Sequence, residues 1–120
     1  MINSDIRLRG KENFALFARA SHYRGSLLRI ACVRREGLKV AFVVGKKVSQ
    51  KAVERNKIKR RLRELFKKHR HLLPQDFWLM LIAMPEARTA DFASLEADID
   101  ALFKQVAAKK AANNASHRHR

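Results

Sequence analysis

Two hydrophobic periods alternate along the chain. Between about Val53 and Arg70, Ile58, Leu62, Leu65 and Phe66 recur at helical spacing. At about 100° per residue they gather in one stripe roughly 100° wide, which predicts an amphipathic helix. Pro74 follows its end. A second stripe of Phe92, Leu95, Ile99, Leu102, Phe103 and Val106 predicts a last helix, with Asp91 placed as its N-cap. Glu12 to Ala20 reads as a first helix, with Phe14 and Phe17 one turn apart.

The intervening segments carry strand patterns. Leu27 to Val33 reads as a strand and Arg35-Glu36-Gly37 as a hairpin-like turn. Leu38 to Val44 alternates, with Leu38, Val40, Phe42 and Val44 on one face and Lys39, Ala41 and Val43 on the other. Phe77 to Met84 is apolar on both faces, as a central strand covered on both sides would be, and Pro85 stops it. Ser21 to Ser26 is a connection with room for a short strand. The order is helix, two or three strands, helix, strand, helix. This predicts a single-domain α+β sandwich over residues 1–108. Residues 109–120, KKAANNASHRHR, lose the periodicity and read as a basic, disordered tail.

Charge changes the picture. The 120 residues carry a formal net charge of +16, far beyond what solubility needs, which points to a polyanion such as nucleic acid or an anionic membrane surface. Residues 46–71 hold twelve Lys/Arg and two Glu, whereas residues 72–108 hold two Lys/Arg and six acids. One side of the molecule is therefore expected to be cationic.

The cationic side is expected to be a flank of the middle helix. With Arg55 set at zero, Arg55, Asn56, Lys59, Arg60, Arg63 and Lys67 fall in the sector from 0° to roughly 140°, beside the apolar stripe. A merely solvated face usually mixes signs at i, i+4; here Arg55, Lys59 and Arg63 are like charges at that spacing, which costs a few tenths of a kcal/mol per pair. Such a row suits a phosphate backbone, with Arg gripping phosphate and Asn free to bond a base edge or a sugar hydroxyl. Lys46, Lys47 and Lys51 precede the helix and extend the same track or serve as ordinary loop lysines. Phe14 and Phe17 are candidates for stacking on unpaired bases. Core packing is the competing reading, and it is preferred for Phe17.

Several classes are excluded or disfavoured. Cys32 is the single cysteine, so no intramolecular disulfide forms. The opening MINSDIRLRG has charges where a signal peptide needs an apolar run, and no apolar stretch reaches the ~18 residues of a membrane span, so a cytoplasmic protein is expected. His69 and His71, and the HRHR end, lack Cys, Asp or Glu at ligand spacing. No phosphate loop, nucleophile elbow or converging carboxylate set is present. The last helix's Glu96, Asp98 and Asp100 read as a solvated face. The chain is not expected to supply the chemistry of a reaction.

The segment GKKVSQKAVERNKIKRRLRELF resembles the signature of the bacterial ribonuclease P protein family: a Lys-rich loop, an Ala, then Arg-Asn-x-x-Lys-Arg-x-x-Arg. RLRGKENFALF resembles the family's N-terminus, and LLPQDFWLMLIAMPEA its last strand. The resemblance implies an αβββαβα fold with a mostly antiparallel sheet and an uncommon left-handed βαβ crossover, against the usual hand. It implies a protein cofactor of a ribozyme that removes the 5′ leader from precursor tRNA, with hydrolysis carried out by the RNA subunit and its magnesium. No organic cofactor, membrane or obligate protein partner is implied. By resemblance, Lys47, Lys51, Arg55, Asn56, Lys59, Arg60 and Arg63 would meet the ribonuclease P RNA. Phe14, Phe17, Val43 and Lys46 would meet the leader. A structural RNA-binding protein of the ribosome is the alternative. A helix-turn-helix DNA-binding module is disfavoured, because no second short helix precedes Val53.

Overall fold

Phe77–Ala83 is hydrophobic at every position, so it can be satisfied only where both of its faces and both of its edges are covered. It takes the central slot, with both edges paired, Leu79, Leu81 and Ala83 buried on one face and Trp78, Met80 and Ile82 half-buried on the other. The computed structural model describes residues 20–118 and contains one four-stranded sheet. Its strands are β1 (Ser21–Arg24), β2 (Leu28–Arg34), β3 (Lys39–Val43) and β4 (Phe77–Ala83), in the order β1-β2-β4-β3. β1 and β2, and β2 and β4, pair antiparallel; β3 and β4 pair parallel. Two helices complete the described residues: α1 (Ala52–His69) and α2 (Phe92–Arg118). Short 3-10 turns at Arg70–Leu72 and Pro85–Thr89 flank β4. The first helix expected over Glu12 to Ala20, with Phe14 and Phe17, lies outside the described residues apart from Ala20.

One expectation is corrected. The Arg35-Glu36-Gly37 turn is present, and Gly37 takes the left-handed backbone (φ 82°) that a side chain would resist. Yet β2 and β3 do not pair as a hairpin, because β4 lies between them. The more apolar strand occupies the central slot. The Arg35 amide donates to the Asp76 carbonyl at 3.0 Å, which carries the β2–β4 contact past the end of the ladder. β3 reaches the sheet by a crossover: it leaves through Gly45–Lys51 and α1 before the chain returns as its parallel neighbour β4.

Both helices pack on one sheet face, α2 over β1 and β2, α1 over β3. The predicted face of β3 turns toward them: Leu38, Val40 and Val44 are buried, and Phe42 packs against the same core. The stripe of α1 is buried throughout, at Ile58, Leu62, Leu65 and Phe66. Phe66 is the hub. Its ring meets Phe42 edge-on at 5.8 Å and Phe103 of α2 at 6.1 Å. In α2, Leu95, Ile99, Leu102, Phe103 and Val106 are buried, but Phe92 is not. It stands in the first turn, short of the sheet, where 37% of its surface remains open. Asp91 caps the helix as expected, accepting the Ser94 amide at 2.8 Å. The α2 backbone stays helical to Arg118, past the Lys109 boundary where a disordered tail was expected. The Lys- and Ala-rich sequence there favours helix without needing a core.

The opposite sheet face carries a smaller cluster. Buried Ala31 and Ala41 are bordered by Ala20, Val33, Trp78, Met80 and Ile82.

A cationic flank on the open edge of the sheet

α1 sits against the outermost strand of the described sheet, so one of its flanks faces α2 and the other lies beside β3. The two flanks differ in charge. On the α2 side three basic side chains meet an acid. Lys68 Nζ lies 2.6 Å from Glu96, and His69 Nε2 lies 2.9 Å from the same carboxylate. Arg88 lies 3.6 Å from Glu54, and the Arg61 charge acts on Asp91. These carboxyls are held below their usual range. For Glu96 the main cause is the hydrogen bond from Lys68, then that from His69. For Glu54 it is the bond from the Ser49 hydroxyl, 2.5 Å, with Arg88 adding to it. For Asp91 it is Ser94.

The flank beside β3 differs. Asn56 and Arg60 are exposed and Lys59 is half-buried, and none forms a salt bridge with a described carboxylate. Lys67 is exposed on the same side. Arg63 is half-buried, with its guanidinium 5.8 Å from the centre of the Phe42 ring. That contact orients it along the β3 edge. Lys46, Lys47 and Lys51 are exposed in the connection and at the N-cap of α1, continuing the same sign.

Arg55 behaves differently from its neighbours. Its Nη1 donates to the Ser49 and Gln50 carbonyls, both at 3.0 Å. The Ser49 hydroxyl also accepts the Lys51 amide at 3.2 Å. Arg55 therefore braces the loop that carries the lysines, and less of its hydrogen-bonding capacity is open to a ligand. The structure thus groups Asn56, Lys59, Arg60 and Arg63 on one flank and Lys46, Lys47 and Lys51 beside them. It does not bring Val43 to that flank: Val43 is half-buried on the opposite sheet face, in register with Ile82. Phe14 and Phe17 lie outside the described residues.

Sequence reasoning missed two features. Asp98, read as part of a solvated face, accepts the amides of Ser26, Leu27 and Leu28 at 2.9, 3.1 and 2.9 Å. Trp78, read only as a strand residue, has the Lys39 amino group 5.0 Å from its ring and donates its indole N–H to the Glu36 carbonyl at 3.3 Å. The Trp78 contact depends on the β3–β4 register and the Asp98 contacts on how α2 docks against the β1–β2 turn, neither of which a local pattern encodes. Cys32 is buried, and burial pushes its thiol up to about 11.

Fold and flank together define a small, basic α+β domain with a cationic helix on the open edge of its sheet. A family model described as Ribonuclease P matches residues 2–107, and the chain belongs to that family. It is 43% identical over 94 residues to the ribonuclease P protein component of Thermus thermophilus, covering 78% of this chain and 55% of that one. The Streptomyces avermitilis component is 34% identical over 118 residues, covering 88% and 95%. The chain thus spans just over half the length of its Thermus relatives and nearly all of the Streptomyces one. The fold is similar to the solved ribonuclease P proteins of Staphylococcus aureus (TM-score 0.74, 21% identity, 82% of this chain and 93% of that one) and Thermotoga maritima (0.74, 23%, 82% and 96%).

Proposed function

We propose that this chain is the protein subunit of a bacterial ribonuclease P, acting in the cytoplasm on precursor tRNA. The observation that carries the proposal is the flank of Asn56, Lys59 and Arg60, which form no salt bridge with a described carboxylate, with Arg63 beside them along the β3 edge in a member of this family. On this reading the flank and Lys47 and Lys51 neutralise phosphates of the RNA subunit and release counterions, so affinity falls steeply with salt. Arg55 contributes mainly by holding the lysine loop in place. The leader would run along the other sheet face, past Val43 toward Lys46, with Phe14 and Phe17 supplied by the N-terminal segment. The protein would thereby extend the contact between holoenzyme and precursor and favour precursor over mature product.

Endonucleolytic cleavage is assigned to the RNA subunit and its magnesium. The proposal gives magnesium no ligand in this chain. No described helix is long and apolar enough to cross a membrane.

The test is binding to a bacterial ribonuclease P RNA and, separately, to ribosomal RNA across a salt series. Preferential, salt-sensitive binding to the ribonuclease P RNA supports the proposal. Preference for ribosomal RNA moves the chain to the structural ribosomal role.

A further inference from the structure

α1 is basic around most of its circumference. Besides the β3-side row it carries Lys57, Arg61 and Lys68 at roughly 200° to 240° on the same angular scale. An isolated helix of this composition would offer a polyanion more than one rotational setting of nearly equal electrostatic merit. In the folded protein this second row faces carboxylates. Lys68 pairs with Glu96 at 2.6 Å and Arg88 with Glu54 at 3.6 Å, while Arg61 and Lys57 form no salt bridge with a described carboxylate and contribute only a lesser part of the lowering of Asp91 and Glu54. Two of the three acids come from α2 and its cap.

We infer that Asp91 and Glu96 determine the specificity of RNA docking: they close the α2-side row of α1 to phosphates, so that RNA meets the helix only along the β3 edge. This inference rests on the proposed RNA-binding function. The physical basis is a difference of affinities. A phosphate approaching the α2 side meets carboxylates and must displace existing ion pairs, whereas one approaching Lys59 and Arg60 meets neither. The acids therefore add little to the affinity of the correct complex and subtract from that of incorrect ones. Exposed ion pairs of this kind contribute little stability, so their consistent placement along one seam is better explained by what they repel.

The experiment compares three double variants, each assayed against a bacterial ribonuclease P RNA and against oligouridine as a non-cognate polyanion, over a salt series and with thermal unfolding alongside. D91N/E96Q keeps the cap, since Asn caps as well as Asp, and keeps hydrogen-bonding capacity at residue 96. It is expected to bind oligouridine several-fold tighter, with a salt slope steeper by about one to two, while binding to the ribonuclease P RNA changes less. R61Q/K68Q is expected to leave both affinities near those of the parent, whereas K59Q/R60Q loses affinity for both RNAs. An unchanged ratio of the two affinities in folded D91N/E96Q overturns the inference and leaves the flank reading standing. So does a loss in R61Q/K68Q equal to that in K59Q/R60Q, which can be read even if D91N/E96Q does not fold. Full retention of RNA binding by K59Q/R60Q instead overturns the proposed function of the flank.

Discussion

Asp98 of α2 occupies the space that a side chain on Gly25 would need. A β-carbon on Gly25 would lie 2.7 Å from Asp98 Cγ, and the carboxylate bonds the three amides that follow Gly25. The turn between β1 and β2 is thereby fastened to the second turn of α2, 70 or more residues away in sequence. Three backbone donors that no strand satisfies find their acceptor in one side chain.

Gly25→Ala should therefore destabilise the protein by roughly 1–3 kcal/mol, because the new methyl must displace the carboxylate. Asp98→Ala should cost about 2–3 kcal/mol by leaving the amides without that acceptor. Urea unfolding measures both. A double variant no worse than the poorer single one would show that the two residues act through the same contact.

Arg60 and Arg55 should separate binding from folding. Arg60→Ala is expected to weaken binding to the ribonuclease P RNA by about tenfold and lower the salt slope by about one, with the unfolding midpoint unchanged. Arg55→Ala is expected to lower stability by about 1–2 kcal/mol, since two loop carbonyls lose their donor. Titrations and melting curves on both variants check the division.

Acid should weaken the seam between the helices. The carboxyls of Glu54, Asp91 and Glu96 titrate below their ordinary values in the folded protein. The folded state thus holds fewer protons than the unfolded one in this range, and stability rises with pH. Their contribution is complete above about pH 4.5, the ordinary glutamate value, and is lost as pH falls through the folded values. Glu96→Gln should flatten that acid limb in a series of unfolding curves.

Cys32 has the opposite sense. Its thiol moves from an ordinary 9.0 up to about 11, because burial disfavours the thiolate. The folded state holds the proton more tightly, so this contribution is present below pH 9 and is lost as pH rises through 11. At neutral pH the thiol should react with an alkylating reagent only as fast as the protein opens. Adding urea should accelerate labelling in step with unfolding.

The elements legible in the sequence were those with a period of their own. The stripe from Ile58 to Phe66 marked α1, the unbroken apolar run marked β4 as central, and Asp91 marked the start of α2. What was not legible depends on contact between distant segments. The β2–β3 turn looked like a hairpin because nothing local announces that β4 will come between its strands. Asp98 looked solvated because its partners are backbone amides 70 or more residues away. The flank was legible as charge. Its division into a side facing the carboxylates of α2 and a side beside β3 was not, since that needs the position of the second helix.

Cleavage of a 5′-extended precursor tRNA at low magnesium, by a bacterial ribonuclease P RNA with and without this protein, tests the central claim most directly. Strong stimulation by the protein, with no cleavage by the protein alone, is the predicted result. Tight RNA binding without stimulation would contradict the holoenzyme role, and cleavage without the RNA subunit would contradict the assignment of the chemistry.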